Sequence, residues 1–247
     1  MYDSSKMFCQ YLSRFQLDNF RGYLAHMEER FERDMKEFNE QLEAELNGKS
    51  EQERASIVDW YGKEIWNIAE IFPRHFWQSS LVTIWSHFEH EIVDLCRMDI
   101  VHEAEDIDTG TKRADKCKTL EDVRKYLDKR KVQLNSNWSE LEKINKVRNQ
   151  IVHDGGRRYI AGPEGYPDDE DGIKTLERSK AVDAYVAKRE QAGKTGLSFE
   201  SEELVVTAEF CRELAELCHV VADDTVSRMP PTEESYRQIE KLLKHHK

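Results

Sequence analysis

The sequence predicts an all-α protein, an antiparallel helical bundle preceded by a long N-terminal helical hairpin. Three observations point there. Glycine and proline number only 11 and 5 among 247 residues, too few for the turn-rich sandwiches, barrels and collagen-like arrays that depend on both. Charged residues reach 35% and are interleaved with apolar ones at steps of three and four, the pattern of helices with one wet face. No proline occurs before Pro73, so nothing interrupts the first helices. Hydrophobic content is low at 38%, but 5 Trp, 9 Tyr and 10 Phe argue against disorder.

The elements come in order along the chain. Phe20, Leu24, Met27, Phe31, Met35, Phe38, Leu42 and Leu46 form one apolar stripe over about seven turns, and Asn47-Gly48 stops it. Ile57, Trp60, Tyr61, Ile65, Ile68 and Phe72 mark a second helix that Pro73 closes. The two pair as an antiparallel hairpin, residues 1–72; a dimeric coiled coil fits less well because the stripe is short and aromatic-rich. The bundle proper spans residues 73–228. Pro73 opens its first helix, where a missing donor is harmless, and Trp77, Leu81, Ile84, Trp85, Phe88, Ile92, Leu95 and Cys96 make that helix central to the core. A loop is expected around Gly110, then a short helix from about Leu120 to Val132. Asn137 to Glu140 reads as a capping box for a helix carrying Trp138, Leu141, Ile144, Val147 and Ile151 and ending near His153. Residues 155–172 hold five glycines, two prolines and the acidic run Asp168–Asp171, so an irregular loop is expected over 154–200, with a short strand at Leu197–Phe199. The last helix is expected from Glu203 to Arg228, and residues 229–247, after Pro230-Pro231, as a peripheral helix or tail.

Several function classes fall away on this sequence. No run of about 18 apolar residues exists to span a membrane, and the opening MYDSSKMFCQ lacks an apolar signal core. Five cysteines with no C-x-x-C argue against a disulfide framework or zinc knuckle, so a reducing cytoplasm is expected. Dinucleotide, P-loop, zincin and serine-hydrolase motifs are absent. His87, His90 and Glu91 lie close on one helix but lack a third ligand of suitable spacing, so neither metal nor cofactor is expected. Cys211 and Cys218 read as small core residues. The net charge of −12 hides an asymmetry: between Thr111 and Arg158 stand 14 Lys or Arg against 7 Asp or Glu, which points to a localised anionic ligand.

The segment Lys146 to Gly156 carries the candidate chemistry. Asn149 and His153 are four residues apart and share a helix face, so Asn149 can orient the imidazole. Arg148 and His153 are five apart, about 140° around an ideal helix, and would flank a groove rather than converge. The plainer alternative is a capped helix end with a surface histidine. Arg148-Asn149 followed by three residues and His153 is similar to the R-x4–6-H motif of the HEPN superfamily (higher eukaryotes and prokaryotes nucleotide-binding domains), and Ile84–Arg97 resembles the aromatic-rich core helix of that fold. The resemblance covers residues 73–228. It implies an HEPN-like all-α bundle, homodimeric through the 138–153 helix, acting as a metal-independent endoribonuclease. It also implies a toxin–antitoxin or antiviral defence setting with an antitoxin or defence protein as partner. Gly155 stands where the toxins paired with nucleotidyltransferase antitoxins carry Tyr, which argues against regulation through that residue.

Under the resemblance the catalytic set is Arg148, Asn149 and His153. Attack by a ribose 2′-hydroxyl needs a base, an acid for the leaving oxygen and positive charge for the phosphorane. Histidine shuttles protons near neutral pH, and arginine presents a planar, permanently charged fork to phosphate. Two protomers meeting through this helix would bring two such sets together. Lys143, Lys146, Arg157 and Arg158 are candidates to guide the RNA backbone, and Glu89 is a candidate to support the site from the neighbouring helix. The rival expectation is a helical module that binds nucleotide, RNA or protein without turnover.

Overall fold

The computed structural model describes residues 4–102, 104, 107–159 and 170–229, and for 4–18, 102, 107 and 136 the backbone alone. The described chain is all-α apart from one small hairpin, as the composition predicts. Its elements run α1 (Ser4–Leu46), α2 (Glu51–Trp66), a π-helical turn (Asn67–Ile71), α3 (Phe72–His102), α4 (Ile107–Ala114), α5 (Leu120–Lys129), α6 (Ser136–Asp154), α7 (Glu170–Gln191), β1 (Leu197–Glu200), β2 (Glu203–Val206) and α8 (Ala208–Arg228). They divide into two compact units, one drawn from residues 20–82 and 146–213, the other from 1–19, 83–145 and 214–247. No helix among the described residues is long and apolar enough to cross a membrane.

The first unit contains the expected hairpin. α1 ends at Asn47-Gly48, with Gly48 at φ 74°, where the absence of a Cβ removes the left-handed penalty. Ser50 caps α2 reciprocally with Glu53: its hydroxyl accepts from the Glu53 N–H, while the Glu53 carboxylate accepts from the Ser50 N–H at 2.8 Å. Tyr61 joins the two helices, its ring edge-on to Phe38 and its hydroxyl donating to Glu45 at 3.0 Å. The expected helix end at Pro73 is corrected. Residues 67–71 widen into a π turn in which the Phe72 N–H bonds Asn67 O, and α3 continues directly. A wider turn absorbs a proline whose ring would otherwise meet the carbonyl four residues back. Phe31, Phe76 and Trp77 then stack edge to face with centroids 4.7–6.0 Å apart.

The same unit overturns the loop expected over 154–200, because α7 occupies Glu170–Gln191. Its buried face is Ser179, Val182, Tyr185, Val186 and Arg189; two polar members break the apolar stripe and hide the period. Ser179 Oγ accepts from the Tyr159 N–H at 3.0 Å. Arg189 is 4% exposed, lies 4.7 Å from the Phe210 ring and pairs with Glu213 at 2.9 Å. Of the acidic run, Glu170 and Asp171 open α7, while Asp168 and Asp169 lie outside the described residues. The expected strand is present and has a partner. β1 pairs with β2 from Leu197↔Val206 to Glu200↔Glu203, so the last helix begins at Ala208 rather than Glu203. Leu204 and Val206 alternate inward, a period of two masked in the sequence by the apolar run continuing into α8.

In the second unit, Trp85, Phe88 and Ile92 from α3, Val123 and Leu127 from α5, Leu141 from α6 and Leu214 and Cys218 from α8 are buried. The loop expected around Gly110 is a helix, α4. A Cβ on Gly110 would stand 2.9 Å from Ala104 Cβ and 3.0 Å from Val101 Cα, so glycine there serves close packing rather than a turn. α6 starts one residue before the expected cap, and Asn135 Oδ1 accepts the Asn137 N–H at 3.0 Å. Buried Asp99 accepts the Tyr126 hydroxyl at 2.7 Å, tying α3 to α5. Burial, then that hydrogen bond to Asp99, pushes the Tyr126 phenol far up and keeps it protonated. The tail expected beyond Met229 lies outside the described residues.

A candidate nucleic-acid site at the end of α6

α6 buries Trp138, Leu141, Ile144, Val147 and Gln150, a run at steps of three that winds around the helix rather than keeping to one face. Within the first unit, that register leaves Lys146, Val152 and His153 exposed, with Val152 at 48%. Arg148 is half-buried. One terminal nitrogen, Nη1, donates to Asn149 Oδ1 at 2.7 Å, while Nε is buried without a partner. A guanidinium carries five donors, so much of this fork is unspent. Asn149 is therefore turned to its neighbour Arg148, and no hydrogen bond links it to His153. His153 lies in the last turn with its ring in solvent. The structure brings Arg148 and Asn149 together and leaves His153 apart: the angle around the helix separates it from Arg148, and the Asn149 side chain is engaged by Arg148 instead.

The turn after His153 is tightly built. Gly155 and Gly156 take φ 61° and 76°, and the Gly156 N–H reaches back to Gln150 O at 3.0 Å. Gln150 is fully buried, and its Nε2 donates to Arg157 O at 2.8 Å. Gly156 O accepts the Leu204 N–H at 2.8 Å, the Arg158 N–H donates to Glu202 O at 2.7 Å, and Arg157 bridges to Glu203. Residues 156–158 thus form an isolated antiparallel bridge beside β2. Gln78, from α3, donates to Leu204 O at 2.8 Å and stands against Gly156. Sequence reasoning missed both glutamines. The signal available was Gln150 itself, a polar residue three positions after Val147 on the apolar face.

The expected RNA-guiding cations differ in how far they are spent. Arg158 pairs with Asp183 at 2.8 Å and lies 4.2 Å above the Phe199 ring. Arg157 is 77% exposed, with Glu203 at 4.0 Å. Arg74 already engages Glu203 at 2.6 Å and Glu200 at 3.3 Å. Lys146 is exposed and has no acidic partner among the described residues. Asp154, beside His153, is held by Arg178 at 2.8 Å. In the second unit, Lys143 pairs with Glu140 at 3.0 Å and Glu89 is half-buried.

Other reactive groups are otherwise occupied. His87 faces Glu91 and His90 faces Asp94, each pair within one turn. Among the described residues no three His, Cys, Asp or Glu groups are placed to hold a metal ion. Burial pushes the Cys211 thiol up to about 12 and drives Cys96 and Cys218 higher still, so these cysteines are packing residues rather than nucleophiles. No family model matches the chain, and neither a curated protein nor a solved structure matches it.

Proposed function

We propose that the chain is an HEPN-type endoribonuclease that cleaves RNA by 2′-hydroxyl attack without a metal, as a homodimer joined through the 138–153 segment of α6. The observation that carries this is the state of Arg148. The guanidinium is half-buried and only Nη1 has a partner in the chain, so its other terminal nitrogen suits the non-bridging oxygens of a phosphate where water competes little, while Nε is closed to solvent. His153, exposed five residues on, supplies the acid and base, and Arg148 clamps the phosphate. Asn149 acts through Arg148, fixing the orientation of the guanidinium, rather than through His153. Because Arg148 and His153 diverge around one helix, the working site needs the second copy, whose histidine approaches the first copy's arginine. A cytoplasmic location and an antitoxin or defence protein as partner accompany the proposal.

His153→Ala slows cleavage about 10²- to 10⁴-fold while RNA binding is retained. Arg148→Lys is also damaging, because a point charge cannot reproduce the planar fork. Wild-type digests carried out in EDTA yield a 2′,3′-cyclic phosphate (or its hydrolysis product) and a 5′-hydroxyl, and a deoxyribose at the cut site blocks them. The second reading, an RNA-binding module without turnover, is favoured by the missing Asn149–His153 hydrogen bond. It takes over if wild-type and His153→Ala proteins bind RNA and leave it equally intact.

A further inference from the structure

The cations of the α4–α5 region divide by whether an acid answers them. Arg124 is paired with Glu142, Lys125 with Glu121 and Arg130 with Asp99. Lys112, Arg113, Lys116, Lys118, Lys129 and Lys131 have no acidic partner among the described residues, and all six are exposed. The neighbouring acids are engaged in part. Glu121 holds Lys125, and the Asp122 carboxylate accepts from the Lys118 N–H, the Thr119 N–H and the Thr119 hydroxyl. Asp108, Asp115 and Asp128 also remain, and neutral donors leave the Asp122 charge in place, so among the described residues six unpartnered cations stand against four free carboxylates. α4 ends at Ala114 and α5 begins at Leu120, so five residues join the two helices within one unit.

A second observation concerns Lys131. α5 closes with the Val132 N–H on Leu127 O at 3.0 Å and the Lys131 N–H on Asp128 O at 2.9 Å, a Schellman ending that favours glycine at the left-handed position. The residue there is Lys131, at φ 58°. A side chain is kept where its absence would relieve strain, and the side chain kept is a cation. Strain retained at a surface turn points to a use.

We infer that the α4–α5 surface, through Lys112, Lys116, Lys118 and Lys131, carries the RNA backbone, whereas Arg158 is held by Asp183. This rests on the proposed RNA chemistry of the α6 end, and the test separates the two. In a His153→Ala background, which keeps RNA intact, binding of a labelled mixed-sequence single-stranded RNA is followed by anisotropy through a salt titration. Lys112→Ala/Lys116→Ala/Lys118→Ala lowers the log–log salt slope by about 2 and weakens binding about 100-fold at 0.1 M salt, since each phosphate contact on a single strand contributes about 0.7. Lys63→Ala/Lys188→Ala/Lys194→Ala, an equal charge change on exposed lysines elsewhere, leaves the slope nearly unchanged. Lys131→Gly melts no lower than its parent, yet loses about 0.7 of slope. An undiminished slope in the triple variant, or an equal loss in the control, overturns the surface and leaves the α6 site standing. A parent that binds no RNA overturns both.

Discussion

Gly156 shows how much one residue can carry. Its φ of 76° already disfavours a side chain, and a Cβ would stand 2.9 Å from Gln78 Nε2. That atom is the end of a flexible side chain, but it is tied to Leu204 O in a residue only 8% exposed, so it cannot swing aside cheaply. Gly155, at φ 61°, has nothing within 4 Å of its Cβ position. Gly155→Ala should therefore cost only the left-handed penalty, about 1 kcal/mol, and Gly156→Ala about 2 kcal/mol or more. Urea denaturation of the two variants checks the order. A Gly156→Ala protein as stable as Gly155→Ala would show that the Gln78 contact yields. The same residue scale separates what is readable in the α6 motif from what is not. Arg148, Asn149 and His153 stand out by type and spacing, whereas the partner of Asn149 depends on side-chain torsions that spacing does not fix.

At the scale of the element, α5 shows how local chemistry sets a boundary. Thr119 and Asp122 form a reciprocal cap, and Thr119→Ala is expected to cost about 1 kcal/mol. Hydrogen bonds from the Lys118 N–H, then from Thr119, hold the Asp122 carboxyl below its ordinary value of 3.8. A depressed folded pKa means that the ionised form is favoured by folding, so its contribution is complete above the unfolded pKa. That contribution fades as pH falls from about 4 through the folded pKa, because the unfolded chain takes up its proton first. Asp122→Asn should accordingly melt below wild type at pH 7, and the gap should close as the pH falls below about 4. A gap that persists at low pH would mean that the cap acts without its charge. α7 is the opposite case. Ser179 and Arg189 occupy core positions that their types disguise, and groups outside the helix meet them: the Tyr159 N–H for Ser179, and the Thr195 carbonyl, the Phe210 ring and Glu213 for Arg189.

For the molecule as a whole, the proposed site demands two copies. Light scattering should give twice the monomer mass at micromolar concentration. Val152, half-exposed between the functional positions, is the apolar residue through which copies would meet. Val152→Glu should give the monomer mass, lose cleavage and melt like wild type, since the position makes little contact within the chain. A monomeric Val152→Glu protein that cleaves at the wild-type rate would end the composite-site proposal.

The sequence by itself determined the all-α class, the N-terminal hairpin, the core face of α3 and the helix that ends at His153. All of these rest on local period and on turn residues such as Asn47-Gly48, which act over one or two turns wherever the chain goes. Only the tertiary structure decided that Pro73 could sit inside a continuous helix, that Gly110 packs rather than turns, that 170–191 is helical and that Glu203–Val206 is a strand. Only it showed which cations are spent: Arg158 meets Asp183, while Arg157 stays 77% exposed and Lys112, Lys116 and Lys118 meet no acid among the described residues. Each of these depends on a partner far away in the chain, and charge composition counts residues without saying which of them meet.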